Sequence, residues 1–127
     1  MVGIVIVSHS EKIAQGVIEL CTQMAPEVSM AAAGGLPGGE IGTDFARIYE
    51  AIESVMSEDG VAVLFDLGSA LMTTEMVMEQ FEGSRIMLAD APIVEGAVVA
   101  AVSASMGLEL SQVVAEARTA AQTPKIS

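Results

Sequence analysis

Two fully apolar runs of strand length, Val2–Val7 (VGIVIV) and Val61–Phe65 (VAVLF), constrain this chain more than any other feature. Neither run alternates apolar with polar residues, so each strand must be covered on both faces. That is the pattern of interior strands in a parallel sheet, not of an antiparallel sheet with one wet face. What separates the strands reads as helix. From Glu11 to Ala25, Ile13, Val17, Leu20 and Met24 recur at three- and four-residue steps, which predicts a helix capped by Ser10, turning those four side chains inward and stopped by Pro26. Val28–Ala33 is a second strand, followed by a glycine-rich loop from Gly34 to Gly42. A helix from Thr43 or Asp44 to Met56 then directs Phe45, Ile48, Ile52 and Val55 inward.

The unit repeats after the turn at Asp59-Gly60. Val61–Phe65 leads into a Met-rich helix from Ala70 to Phe81, and Arg85–Ala89 is a further strand. Ala91-Pro92 opens a helix reaching Met106, Ser111 caps a last helix ending near Gln122, and residues 123–127 are expected to fray. Strands alternating with amphipathic helices imply an α/β three-layer sandwich, with a mostly parallel open sheet of four to five strands and helices on both faces. A fifth strand would have to come from the C-terminal part of the chain, at an edge or exchanged between subunits, although that part reads as helix. A length of 127 residues suits one domain spanning 1–127.

Several function classes drop out. A formal net charge of −12 repels nucleic acid and anionic membrane surfaces, and 3% aromatic residues supply no platform for stacked bases. The longest apolar stretches fall far short of the ~20 residues a membrane-spanning helix needs, and the N-terminus reads as a strand without a leader, so a cytoplasmic protein is expected. Cys21 is the only cysteine and His9 the only histidine. Together they exclude a disulfide and a cysteine-rich metal cage, and Cys21 reads as a core thiol.

Reactive groups in open α/β sheets gather beyond the carboxyl ends of the strands, near the point where strand order reverses. Ser8-His9-Ser10 and Asp66-Leu67-Gly68-Ser69 both fall there. If the first and third strands are neighbours, Asp66 can accept a hydrogen bond from His9 Nδ1 and leave Nε2 free as a nucleophile. A phosphoryl group on Nε2 would lie by the N-terminus of the first helix, with the Ser10 and Ser69 hydroxyls as further donors. The glycine loop lacks the Gly-Lys-Ser/Thr ending of a P-loop and follows the wrong strand for a dinucleotide fingerprint, so it reads as a rim that lets a partner approach His9. Gly35, Gly39 and Thr43 on that rim, with Gly68 opposite, complete the expected phosphoryl- and partner-binding set. A Ser-His-Asp hydrolase built from Ser8 or Ser69 with His9 and Asp66 is disfavoured. The chain has no Gly-x-Ser-x-Gly elbow, and a nucleophile adjacent to its base at a strand end is awkward.

Taken together, VSHS after the first strand, AAAGG leading to GEIGTD, then VLFDLGSALMTTEM and ADAPIVEGA resemble the DhaM family, the phosphotransferase-system subunits of phosphoenolpyruvate-dependent dihydroxyacetone kinases, which have the mannose-type EIIA fold. The resemblance runs over nearly the whole chain. It implies that His9 accepts a phosphoryl group from the carrier HPr and passes it to ADP held on a DhaL subunit, with Asp66 at the acidic position of the family motif. It further implies a homodimer, dependence on a separate HPr, and no metal or organic cofactor on this subunit, since ADP/ATP and Mg²⁺ would sit on DhaL. Two other readings stay open. One is a mannose-type EIIA domain serving a sugar-transport EIIB partner, and the other a non-catalytic regulatory module of the same fold.

Overall fold

The structure, a computed structural model, describes residues 1–126. Four parallel strands form one sheet in the order β2-β1-β3-β4, with β1 at Gly3–Ser8, β2 at Met30–Gly34, β3 at Val61–Phe65 and β4 at Ile86–Leu88. Helices α1 (Glu11–Met24), α4 (Ile93–Ser105) and α5 (Leu110–Thr119) cover one face, and α2 (Phe45–Val55) and α3 (Ser69–Met78) the other. A single 3₁₀ turn, Ala120–Gln122, follows α5. Among the described residues the sheet has four strands, and the C-terminal part is helical. Ser127, the end of the expected fraying tail, lies outside the described residues.

The two apolar runs become the two interior strands, and their alternation splits one core into two. Ile4, Ile6, Ala62 and Leu64 face α1, α4 and α5, while Val5, Val7, Val61 and Val63 face α2 and α3. All eight are fully buried. Each large side chain among them, removed from water, contributes about 1.5–3 kcal/mol to stability. No helix among the described residues is long and apolar enough to cross a membrane.

Two helix faces differ from the sequence expectation. On α1, Val17 is buried, but Ile13, Leu20 and Met24 are exposed, and the inward line is Ala14, Val17 and Cys21. The reason is a close approach. A Cβ on Gly34 would stand 2.6 Å from Glu11 Cα and 2.8 Å from Ala14 Cβ, so α1 lies too near the sheet for its large residues and uses its small ones. On α2, Ile48, Ile52 and Val55 face inward as expected, whereas Phe45 at the first turn is 38% exposed. The last helix begins two residues earlier than expected. Its cap is Glu109, reciprocated by Gln112, and Ser111 lies inside the first turn.

Cys21 sits in the α1 core, and burial pushes its thiol up to about 11. Because only the thiolate reacts, the folded protein is expected to resist a thiol-reactive dye at pH 8 and to react fully once unfolded in guanidinium. Rapid stoichiometric labelling in native buffer would show that this core opens readily.

Candidate functional site

The β1–β2 and β1–β3 registers set Ser8 level with Gly34 and Val7 level with Phe65, so the chain leaves β1, β2 and β3 at the same height. Strand order reverses between β1 and β3, and the crevice there receives His9 from one side and Asp66 from the other. The Asp66 amide donates to Val7 O at 3.2 Å, carrying the β1–β3 ladder one residue past the strand and fixing the Asp66 backbone.

Four hydrogen bonds then converge on the Asp66 carboxylate. Oδ1 accepts from Leu67 N at 2.7 Å and faces His9 Nδ1 at 2.9 Å, while Oδ2 accepts from Ser8 Oγ at 2.7 Å and His9 N at 3.0 Å. Burial raises the Asp66 pKa, but the bonds from Ser8, His9 and Leu67 outweigh it and hold the carboxyl below its ordinary value. A carboxylate can only accept, so the proton of the neutral imidazole sits on Nδ1 and the Nε2 lone pair is free. The sign for stability follows. This group favours the fold above the ordinary carboxylate range, and that contribution is lost as pH falls through the lowered value.

Ser69, exposed at the first position of α3, places its Oγ 2.6 Å from Nε2. With Nε2 as acceptor, that hydroxyl donates. Gly68, the residue before it, caps α3 without a side-chain bond. Ser10 Oγ accepts from Ile13 N at 3.3 Å and caps α1, a role its hydroxyl fills as an acceptor, with its O–H still able to donate. What Ser10 brings to the site is a defined helix N-terminus.

The glycine loop grips the backbone on either side of His9. Gly35 N donates to Ser8 O at 3.1 Å and Gly42 N to His9 O at 2.9 Å. Gly35 makes the turn with φ +69°, where a side chain would be strained. Arg47 Nη1 ties the loop down by donating to Gly34 O and Glu11 Oε2, both at 3.1 Å. Gly39 lies farther out and borders an open hollow of about 350 Å³ with Ser10, Glu11, Lys12 and Ile41. Thr43 Oγ1 pairs with Thr73 Oγ1 on α3 at 3.2 Å, joining the loop to the opposite wall.

Sequence reasoning weighed Ser8 only as a disfavoured hydrolase nucleophile and missed its structural part: its hydroxyl is fully buried between Asp66 Oδ2 and the Ser10 amide, which donates to it at 3.0 Å. The signal was there in the alternation. Ser8 continues the Ile4–Ile6 line of buried positions, so a polar residue at that place has to find a partner.

The sequence profile of the EIIA-man family, described as the phosphotransferase-system fructose IIA component, matches residues 3–114. The phosphoryl donor subunit DhaM of a phosphoenolpyruvate-dependent dihydroxyacetone kinase of Listeria innocua is 42% identical, the match covering 92% of this chain and 93% of that protein. The DhaM subunit of Lactococcus lactis is 44% identical over 77% of this chain and 78% of its own length. The Escherichia coli DhaM is 39% identical over 98% of this chain, but the chain spans only 28% of the length of that relative. Among solved structures, a protein of unknown function, EF1359, superposes with a TM-score of 0.80 at 30% identity, covering 94% of this chain and 95% of its own. The EIIA component of Streptococcus agalactiae shares the fold at 17% identity, with a TM-score of 0.68 and coverage of 96% and 93%.

Proposed function

The chain belongs to the EIIA-man family, together with the DhaM phosphoryl donor subunits, and from that premise we propose that it is a phosphoryl carrier working on His9. It takes the group from HPr and delivers it to ADP bound on a DhaL subunit, in the cytoplasm, as a homodimer. The observation that carries this reading is the fixed tautomer: Nδ1–H is tied to Asp66 at 2.9 Å, and the Nε2 lone pair is turned toward the exposed rim at Ser69. Exposed Val94, Val102 and Met106 along α4 supply an apolar face in keeping with self-association.

In the first transfer the Nε2 lone pair attacks the phosphorus of the donor's phosphohistidine in line, and the donor N–P bond breaks. Asp66 stays ionised and offsets the positive charge that the ring acquires. The Ser69 hydroxyl turns from Nε2 to a phosphoryl oxygen, and the capped N-terminus of α1 favours the added negative charge. In the second transfer a terminal phosphate oxygen of ADP attacks, the Nε2–P bond breaks, and the neutral imidazole returns. Mg²⁺ would come with the nucleotide on the acceptor subunit.

Intact mass after mixing with phosphoenolpyruvate, enzyme I and HPr tests the proposal. One acid-labile phosphoryl group is expected, discharged as ATP when ADP-loaded DhaL is added. No gain removes the carrier role, and a gain that DhaL cannot discharge but a sugar-transport EIIB domain can reassigns the acceptor.

A further inference from the structure

The residues around His9 are arranged for a second kind of chemistry. Ser69 Oγ is 2.6 Å from His9 Nε2, His9 Nδ1 is 2.9 Å from Asp66 Oδ1, and Asp66 Oδ2 is itself held by Ser8 Oγ and His9 N. A hydroxyl in reach of a base, with the base oriented by a third group that is itself fixed, is the constellation of nucleophilic catalysis. Two objections made a hydrolase unattractive in the sequence. The objection of adjacency concerns Ser8 alone, because Ser69 crosses the crevice from α3. The missing Gly-x-Ser-x-Gly elbow concerns one fold's way of presenting a serine, whereas here the turn Asp66-Leu67-Gly68 presents it at the start of a ten-residue helix. The Gly68 and Ser69 amides have no acceptor among the described residues, so N–H donors and the α3 dipole stand beside the hydroxyl.

We propose that Ser69 is an activated nucleophile and that the unphosphorylated protein carries hydrolase-type chemistry toward small, activated acyl and phosphoryl esters. Ser69 is on an exposed rim, so reactivity is confined to small substrates with good leaving groups. With an aryl ester, Ser69 Oγ attacks the carbonyl carbon and its proton passes to Nε2. The C–O bond to the leaving group breaks, and the phenolate departs with that proton. Water, activated by the same Nε2, then cleaves the acyl-serine to the free acid and restores the hydroxyl. With a fluorophosphate the same attack forms Oγ–P, breaks P–F and releases hydrogen fluoride, and the adduct persists. Because the base is the lone pair that would carry a phosphoryl group, phosphorylation of His9 and reactivity of Ser69 exclude each other.

The test uses the full chain with diisopropyl fluorophosphate and p-nitrophenyl acetate, followed by peptide mapping. One organophosphoryl adduct on Ser69 is expected, forming on the order of 10²-fold more slowly in His9→Ala and in His9→Gln, and absent in Ser69→Ala. No adduct on the wild-type chain, an adduct elsewhere, or equal labelling of Ser69 without His9 overturns the proposal. So does p-nitrophenyl acetate turnover that survives Ser69→Ala, since that belongs to the imidazole alone. No phosphotransferase component is present, so the outcome is independent of whether the relay proposed above exists.

Discussion

His9→Ala is expected to abolish phosphorylation of a chain that still folds. The chain has no second imidazole, so no other side chain can form the same high-energy N–P bond, and a loss of at least about 10⁴-fold in phosphoryl uptake follows. The fold should tolerate the change. Asp66 keeps three of its donors, Ser8 Oγ, the amide of residue 9 and Leu67 N, so the carboxylate is not orphaned. The cost is about one hydrogen bond, roughly 1 kcal/mol, or about 3–5 °C in melting temperature for a domain of this size. Acid-labile phosphate and a thermal melt measured on the same sample separate the two effects. Uptake of an acid-labile group at a rate near that of the wild type would move the carrier role away from His9. An acid-stable group instead would point to a serine ester such as one on Ser69.

What could be read from the sequence was whatever depends on one element at a time. The uninterrupted apolar runs at β1 and β3 predicted interior strands, because a two-sided environment leaves no room for polar alternation. Residue types that sit at strand ends predicted where the chemistry would gather, and the structure brings His9 and Asp66 to 2.9 Å across neighbouring strands. What depends on distances between elements could not be read. The face of α1 was misjudged because its inward side is set by the closeness of β2 at Gly34, where Ala14 fits and Ile13 does not. For Ser10 and Thr43, expected in the phosphoryl- and partner-binding set, the scaffold contacts could not be read either: Ser10 Oγ caps α1, and Thr43 Oγ1 pairs with Thr73 across the crevice. The alternation marks Ser8 as a buried polar residue in need of a partner, but which partner is settled only once Asp66 arrives from β3, 58 residues away.

Asp66→Asn tests the orienting bond itself and is expected to slow phosphorylation by 10²- to 10⁴-fold, the order seen when a histidine base loses its correct tautomer. An amide has one acceptor and one donor end, and the site cannot use both. With the amide oxygen in place of Oδ2, the bonds from Ser8 Oγ and His9 N survive. The NH₂ group then faces Leu67 N and His9 Nδ1, so Nδ1 becomes an acceptor and the proton moves to Nε2, removing the nucleophilic lone pair. With the oxygen in place of Oδ1, the tautomer survives, but the NH₂ group meets the His9 amide, another donor, in a partly buried position. Each orientation leaves one backbone N–H without an acceptor, at about 1–3 kcal/mol, so neither is strongly preferred on that ground. The Ser8 hydroxyl breaks the tie. Its oxygen already accepts from the Ser10 amide at 3.0 Å, so it serves an acceptor at Oδ2 better than a donor, which favours the orientation with the wrong tautomer. Because His9 is the only histidine, nitrogen-15 shifts of one imidazole report the tautomer without assignment. A proton relocated to Nε2 together with slow uptake establishes Asp66 as the orienting group. Wild-type uptake with an unchanged ring removes it from the mechanism and leaves the 2.9 Å contact a structural one.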